Sequence, residues 1–297
     1  MEKSKVYFTK NINSNSLVEI YNTLNKDLNG KVAIKISTGE KGNNNYLNPL
    51  LIKDLVQSLN GTIVECNTAY AGKRNTTKEH LETAKEHGFF DIANVDIMDS
   101  EGDIELPIKG GKHLKVNYVG KNIKNYDSIL ILSHFKGHPM GGFGGALKNM
   151  SIGIASSKGK CWIHSAGKVD NPKTIWKNTA PQDVFLECMG EADKSVIDYF
   201  KDNIAYINVI NNLSVDCDCV ATPEKPCMHD IGIAASLDPV ALDKACLDLI
   251  YNSTDEGREH FIKRVETKNG KHIIDYAVTL KIGNDNYELI NIDKYQD

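Results

Sequence analysis

Three histidines and one lysine are grouped around a glycine-rich stretch, which reads SHFKGHPMGGFGGALKNMSIGIASSKGK over residues 133–160. His134 and His138 lie four residues apart, Lys148 follows ten residues after His138, and His164 lies sixteen residues beyond Lys148. Histidine can act as a general acid or base or bind a metal ion. A buried lysine that loses its proton can form a covalent bond. These residue types at this spacing indicate a site for acid–base chemistry or for a bound cofactor.

The glycines between His138 and Lys148 are candidates for contact with an anion or a cofactor; they are Gly141, Gly142, Gly144 and Gly145. Glycine permits positive φ angles and lets backbone N–H groups approach an anion closely. The two common phosphate-binding patterns do not fit, however. G-x-x-x-x-G-K-[ST] fails because Asn149 follows the lysine, and G-x-G-x-x-G fails at its last glycine. The stretch is therefore either a nucleotide cradle of another kind or a structural loop.

A second group of candidate ligands lies in the segment DCDCVATPEKPCMHD, which contains Cys217, Cys219, Cys227 and His229. Thiolates together with an imidazole suit zinc or an iron–sulfur centre. The spacing is not that of a zinc finger, so reduced structural thiols in a loop remain the alternative. Asp216 and Asp218, which flank Cys217, would instead suit a hard cation.

Composition restricts the class of protein. The chain has 297 residues, of which 41% are hydrophobic and 25% charged, with a net charge of −4. These values are typical of a globular protein and give no basic face for nucleic acid. No apolar run is long enough to cross a bilayer, and the N-terminus lacks the apolar core of a signal peptide, so we expect a cytoplasmic protein without membrane contact. Seven cysteines, an odd number, favour reduced thiols over a disulfide framework.

The elements that must position these residues alternate between strand and helix. Apolar patterns predict strands at 31–37, 62–68, 127–134, 205–211 and 231–236, and helices at 47–59, 75–90, 180–203 and 237–250. Such alternation predicts an α/β fold with a mostly parallel, Rossmann-like sheet and helices on both faces. We expect one domain over residues 1–297 with a small C-terminal extension at about 256–297, in which YELINI is an edge strand.

The predicted strand at 127–134 leads directly into the glycine-rich stretch. In open α/β sheets, ligands bind beyond the carboxyl ends of the strands. His134 and His138 are therefore expected at the edge where chemistry occurs. Lys35 and Lys41 flank the STGEKGNNN loop after the first strand, where they either contact a phosphate or carboxylate or are simply solvated.

These stretches, together with NTAYAGKRNTTKEHLETAKEHGF, NNLSVDCDC and DIGIAASLDPVALDKACLDLI, resemble DUF362, a family defined by a domain of unknown function. The resemblance extends over nearly the whole chain. Many relatives carry a ferredoxin module with two CxxCxxC-type motifs after the glycine stretch, and this sequence has neither motif. A classical [4Fe–4S] ferredoxin cluster is therefore not supported.

The spacing His138, Lys148, His164 is also similar, more distantly, to that of the nickel-dependent lactate racemase family. That resemblance implies that His138 is an acid–base residue, that Lys148 carries a nickel-pincer nucleotide covalently, and that His164 binds nickel. The family's second catalytic histidine lies in a T-G-x-H-R segment. Here the matching segment NTAYAGKR offers Tyr70 and Arg74 instead, which argues against racemisation by two histidines and leaves one histidine and one tyrosine for proton or hydride transfer.

We therefore expect a metal- or cofactor-dependent enzyme that transfers a proton or hydride on a small anionic organic substrate. The cofactor candidates are Ni, Zn or Fe, or a nucleotide-like group. The candidate residues are His138, Lys148, His134 and Tyr70 for catalysis, Gly141, Gly142, Gly144, Gly145, Lys148, Arg74 and Lys41 for cofactor binding, and His164, Cys217, Cys219 and Cys227 for metal binding. The alternatives are an iron–sulfur or metal-binding electron-transfer module with a redox partner protein, and a binding protein that catalyses nothing.

Overall fold

The computed structural model describes residues 3–295, and its strands follow the chain in a regular succession. They are β1 (Ser4–Thr9), β2 (Val32–Lys35), β3 (Thr62–Glu65), β4 (Val95–Ile97), β5 (Asp103–Pro107), β6 (Val116–Gly120), β7 (Ser128–His134), β8 (Lys136–His138), β9 (Gly142–Gly144), β10 (Ile204–Ile210), β11 (Gly232–Ser236) and β12 (Tyr287–Asn291). The α-helices are α1 (Ser14–Thr23), α2 (Pro49–Ser58), α3 (Thr77–Glu86), α4 (Ala146–Ile154), α5 (Ser157–His164), α6 (Gln182–Phe200), α7 (Pro239–Tyr251), α8 (Arg258–Thr267) and α9 (His272–Thr279).

Eight strands form one sheet in the order β12-β1-β11-β10-β7-β2-β3-β4. The strands from β10 to β4 are parallel, and β12 is parallel to β1. Only β11 runs against its neighbours β1 and β10. The predicted α/β fold with a mostly parallel sheet is therefore confirmed. Two hairpins, β5–β6 and β8–β9, lie outside this sheet.

Strand β7 shows why the sheet is covered on both faces. All seven of its residues are buried, and successive side chains of a strand point to opposite faces. Ile129 and Ile131 pack into one hydrophobic cluster with helices α4, α6 and α7. Leu130 and Leu132 pack into the other cluster with α1 and α2. A continuous apolar run thus serves two cores, which is typical of a central parallel strand.

The predicted elements lie close to the observed ones. Asp238 caps α7 by accepting hydrogen bonds from two backbone N–H groups. Thr76 caps α3 by accepting one, from Glu79 N. The helix predicted over 75–90 is interrupted because Gly88 adopts a φ of 84°, and a short 3₁₀ turn follows it. The YELINI segment is the edge strand β12, as predicted. Helices α8 and α9 before it pack into the α6–α7 core. None of the described helices is both long and apolar enough to span a membrane.

The glycine-rich stretch is folded differently from the loop expected from sequence. It forms the hairpin β8–β9 and then helix α4, so Lys148 lies in the first turn of a helix. Asp243 of α7 supplies the cap that α4 lacks locally, because its carboxylate accepts hydrogen bonds from Ala146 N at 2.8 Å and Leu147 N at 3.0 Å. Gly145 makes room for this contact, since a Cβ there would lie 2.3 Å from the Asp243 carboxylate.

Replacement of this cap tests its contribution to stability. Asp243→Ala would leave the first N–H groups of α4 and the amide of Asn208, which also donates to Asp243, without a buried acceptor. We expect a loss of about 2–4 kcal/mol in the free energy of unfolding, measured by urea denaturation. The matched control Asp202→Ala, at an exposed position, should stay within about 0.5 kcal/mol of wild type. Equal midpoints for the Asp243 variant and wild type would contradict the assignment.

Candidate active site

A cavity of about 260 Å³ lies beyond the carboxyl ends of β2, β3, β7 and β10. Half of the candidate residues that the sequence singled out meet in its wall. They are Tyr70, Arg74, His138, Lys148, His164, Cys217 and Cys219, together with Lys35 from the end of β2. The position agrees with the rule that open α/β sheets bind ligands at the carboxyl ends of their strands. Two distant parts of the sequence, the glycine-rich stretch and the DCDC segment, therefore belong to one site.

His134 does not reach the cavity. Its Nδ1 lies 2.7 Å from Asp218 Oδ1 and its Nε2 lies 2.7 Å from the carbonyl oxygen of Asn211. Both ring nitrogens are thus engaged inside the protein. His134 holds the segment after β10 in place, and this segment carries Cys217 and Cys219. The contacts give His134 a positioning role in place of the catalytic one expected from sequence.

Lys41 and Cys227 also lie apart from the cavity. The Lys41 side chain is 53% exposed and forms an ion pair with Glu86 at 2.9 Å, so it is a surface residue. Cys227 donates its thiol to the carbonyl oxygen of Leu213 and borders a separate surface depression. Neither Lys41 nor Cys227 therefore lies beside the candidate cofactor and metal ligands that line the cavity.

The four glycines do not line the cavity either. Gly142 has a φ of 80° in the β8–β9 turn, and a Cβ there would lie 2.9 Å from Gly270 Cα. A Cβ on Gly141 would lie 3.2 Å from a backbone oxygen, and one on Gly144 would contact the side chains of Lys136 and Lys148. The space that these glycines leave is filled by protein atoms. They permit tight packing of the hairpin and do not form a phosphate cradle.

The hairpin fixes the protonation of His138. Its Nδ1 accepts hydrogen bonds from Gly141 N at 2.8 Å and from Met140 N at 3.2 Å. Backbone N–H groups only donate, so Nδ1 carries the lone pair and the proton of the neutral ring is on Nε2. Burial lowers the pKa of His138 to about 4, and the charge of Lys148 acts in the same direction. His138 therefore offers an N–H group and fits a hydrogen-bond donor better than the base that sequence suggested.

His164 has the opposite arrangement. Its Nδ1 lies 2.7 Å from the carbonyl oxygen of Lys160, one helical turn earlier, so Nδ1 donates and Nε2 carries the lone pair. The ring stacks on Phe185 with centroids 4.6 Å apart. Burial lowers the pKa of His164 to about 4. A neutral, oriented imidazole with a free lone pair lines the cavity, which suits either a general base or a metal ligand.

Cys217 and Cys219 form a thiolate–thiol pair. Burial alone would raise the pKa of Cys217, but the hydrogen bond from Cys219 and the charge of Lys148 lower it well below the usual range. Lys148 Nζ lies 3.5 Å from Cys217 Sγ, and Cys219 N donates to the same sulfur at 3.3 Å. The hydrogen bond to Cys217 raises the pKa of Cys219, which keeps its proton. The pair therefore carries one negative charge.

The thiolate in turn keeps Lys148 protonated. Burial alone would lower the pKa of Lys148, but nearby acidic groups, first among them the Cys217 thiolate, together outweigh burial and raise it. Tyr70, by contrast, is a neutral phenol, because burial raises its pKa far above physiological pH, and its hydroxyl accepts a hydrogen bond from Arg74 at 3.1 Å. At neutral pH these five side chains thus present different groups to the cavity. They are the Lys148 ammonium, the Cys217 thiolate, the Tyr70 phenol and the neutral imidazoles of His138 and His164.

Sequence reasoning missed several members of the wall, including Glu65, Lys136, Lys160 and Trp176. Lys160 had one usable signal: it precedes His164 by four residues, which places both on one face of a helix. Glu65 ends β3, where its carboxylate lies 3.2 Å from Lys35 and 3.1 Å from Arg74. No local sequence pattern identifies Glu65 as a residue of the cavity wall.

The chain is an α/β protein with a cavity at the carboxyl ends of its parallel strands. A family model for the domain of unknown function DUF362 matches residues 32–248. This match covers more than half of the chain, and the chain therefore belongs to the DUF362 family. No curated protein matches it.

Two solved structures show the extent of structural similarity. The lactate racemase apoprotein from Thermoanaerobacterium thermosaccharolyticum is 18% identical with a TM-score of 0.48, and the match covers 84% of this chain and 58% of that one. A structural genomics target from Thermotoga maritima is 13% identical with a TM-score of 0.43, and the match covers 80% of this chain and 57% of that one. The chain thus corresponds to less than two thirds of the length of each structure.

The thiolate can be tested directly. We expect wild-type protein to keep its thiolate absorbance, near 240 nm, at pH values below the range in which free cysteine ionises. Lys148→Met removes the neighbouring ammonium, so the thiolate should appear only at higher pH. Cys217→Ser should abolish the low-pH signal, whereas the control Cys188→Ser should leave it unchanged, because burial raises the pKa of that thiol. Identical titrations of wild type and Cys217→Ser would refute the assignment.

Proposed function

We propose that this DUF362 protein is an enzyme that binds a small organic anion in the cavity and removes a proton from it, with His164 as the base. The observation that carries the proposal is the opposite protonation of two neutral imidazoles in one wall. His164 exposes a lone pair to the cavity, and His138 has its proton on Nε2. One can accept a proton, and the other can stabilise negative charge that develops on the substrate.

The charge of the cavity supports an anionic substrate. Five cationic side chains line it, namely Lys35, Arg74, Lys136, Lys148 and Lys160. A bound anion would offset the cations that help to lower the pKa of His164, among them Lys148 and Lys160. The anion would therefore make His164 a stronger base at the moment when it is needed. A volume of about 260 Å³ restricts the substrate to a small molecule.

His138 assists without giving up its proton. A neutral imidazole that donated its Nε2 proton would become an imidazolate, so His138 acts as a hydrogen-bond donor, as neutral histidines do toward enolate-like oxygens. The negative charge of Cys217 raises the pKa of His138, so a substrate oxygen would share the Nε2 proton with this sulfur. The neutral hydroxyl of Tyr70 is a second donor in the same wall. Proton transfer uses groups that the chain itself supplies, namely His164, His138 and Tyr70.

The implied cofactors fit the residues to different degrees. The ligand atoms of His138, Cys217 and Cys219 lie within 4.8 Å of one another, and the two cysteines suit a soft divalent ion such as zinc, nickel or iron. His138 would join them as a ligand only if its ring gave up the two backbone hydrogen bonds at Nδ1 or lost its Nε2 proton. When bound there, such an ion would supply Lewis acidity toward a substrate oxygen. Lys148, in contrast, is an ammonium paired with a thiolate, and these contacts do not fit an amine poised for a covalent bond to a nucleotide.

The same three ligands favour a second candidate function, a metal-binding electron-transfer module with a redox partner protein. A four-cysteine cluster does not fit, because Cys227 lies outside the group formed by the described residues. A mononuclear centre with three protein ligands is the form that this alternative would take.

Isotope exchange tests the proposed proton transfer. Wild-type protein, loaded with divalent metals and incubated in D₂O with a panel of small 2-hydroxy and 2-oxo carboxylates, should incorporate deuterium into at least one of them, at C2 of a 2-hydroxy acid or at C3 of a 2-oxo acid. His164→Asn should slow this exchange by about 10²–10⁴-fold, the usual contribution of a general base. Mass spectrometry measures the label.

The matched control is His229→Asn, because the His229 side chain is 98% exposed and lies outside the cavity. It should exchange at the wild-type rate. Exchange that is equally fast in the His164 variant would exclude His164 as the base, and no exchange with any member of the panel would count against the proposed reaction.

Metal analysis tests the second candidate. Protein purified anaerobically should contain a soft metal ion at about one equivalent if the three ligands form a centre. Cys217→Ser and Cys219→Ser should each lose most of it, whereas Cys227→Ser should retain it because that thiol is directed at Leu213. Elemental analysis by mass spectrometry gives the ratio. Retention in all three variants would exclude this centre.

A further inference from the structure

We propose that Lys160 binds the anionic group of the substrate, and that the apolar mouth of the cavity at Trp176 binds an apolar, preferably aromatic, body attached to it. This inference rests on the proposed function and deepens it by naming the substrate class. The substrate would be an aryl or otherwise apolar organic monoanion, with its carboxylate deep in the cavity and its ring toward the solvent.

The first step is a comparison of the five cations in the wall. Four of them already have an anionic partner from the chain. Lys35 lies 3.2 Å from Glu65, Arg74 lies 3.1 Å from Glu65 and 3.7 Å from Glu40, Lys136 lies 3.3 Å from Asp218, and Lys148 lies 3.5 Å from the Cys217 sulfur, so these four cations face four acidic groups. A charge that is matched within the protein gains less from a ligand than one that is not.

Lys160 is the exception among the described residues. It is 7% exposed, its Nζ donates to the carbonyl oxygen of Ala155 at 2.6 Å, and no described carboxylate oxygen lies within 4.0 Å of it. A buried cation without an ion pair at contact distance is costly. Asp99 and Glu65 act on Lys160 only from beyond 4.0 Å, so a ligand carboxylate within hydrogen-bond distance would reduce that cost.

The position of Lys160 also fits the reaction. Lys160 and His164 lie one turn apart on helix α5, and the carbonyl oxygen of Lys160 accepts the Nδ1 proton of His164. Both side chains line the same cavity. An anion held by Lys160 would therefore be presented beside the base. One unmatched cation indicates one negative charge on the substrate, which disfavours phosphate esters and other dianions.

The mouth of the cavity is apolar. Trp176 is 49% exposed, which is unusual for so large an apolar side chain, and its ring lies edge-on to His164 at 6.0 Å. Met140, Pro139 and Ile152 line the cavity as well. Aromatic rings favour such offset and edge-to-face contacts. A ligand with a ring would cover this surface while its carboxylate reached Lys160.

Tryptophan fluorescence provides the test, because the chain has only two tryptophans. In a Trp162→Phe background, Trp176 is the reporter. Phenylacetate should change its emission saturably and bind at least about tenfold more tightly than acetate or inorganic phosphate. Titration calorimetry on the unaltered protein gives the same constants without the reporter. Lack of saturable phenylacetate binding by both methods would overturn the proposal, as would tighter binding of phosphate.

Variants locate the anion. Lys160→Met should weaken phenylacetate binding at least about tenfold. Lys177→Met, which removes an exposed lysine beside the reporter, should bind like wild type. Lys160→Met also removes the hydrogen bond to the Ala155 carbonyl oxygen, so its melting temperature is measured and binding is compared only where the variant is fully folded. Unchanged affinity in the Lys160 variant would refute its role.

The anion site at Lys160 and the proton transfer by His164 can be tested independently of each other. His164→Asn removes the base but leaves Lys160 and the apolar mouth in place, so it should still bind phenylacetate. Binding that depends on Lys160, without deuterium exchange on any carboxylate, would support the anion site and reject the proton transfer. Exchange that persists in Lys160→Met with an unchanged Michaelis constant would reject the anion site alone.

Discussion

The structure depends on the pairing of buried charges at one edge of the sheet. Glu65 joins the ends of β2 and β3 by contacting Lys35 and Arg74, and Asp218 joins the segment after β10 to His134 and Lys136. Each of these charges would be costly alone, because an uncompensated ion in the interior loses its hydration. The pairs therefore hold segments that are distant in sequence in one arrangement, and the cavity is the space between them.

Part of this arrangement could be predicted from sequence. The predictable elements depend on residues that are close in the chain, and the others depend on contacts between distant residues. The run in β7 and the cap at Asp238 are local signals, so the sheet and several helices were predicted within a few residues. Helix α4 was missed because its cap, Asp243, lies 97 residues beyond Ala146 in the chain. The spacing of His138, Lys148 and His164 resembles that of a known family and predicted that they share one site. The protonation of the two histidines depends on hydrogen bonds to backbone groups, which sequence spacing does not predict.

The roles of individual residues were the least predictable part. His134 and His138 lie four residues apart, yet one is fully engaged by Asp218 and Asn211 while the other lines the cavity. Membership of DUF362 supplies no chemistry, and the similarity to solved structures is limited to the fold. The candidate function therefore comes from the wall itself: which nitrogen carries a proton, which sulfur has lost one, and which cation lacks a partner.

The two backbone hydrogen bonds to His138 Nδ1 have a consequence for stereochemistry. They leave His138 no lone pair directed at the substrate, and burial keeps Tyr70 protonated. Under the proposed function, His164 would take a proton from one face of the substrate and return it to the same face. Such suprafacial chemistry moves a proton between neighbouring atoms. A two-base racemisation would need a second acceptor on the opposite face, and neither His138 nor Tyr70 is in the protonation state for that role.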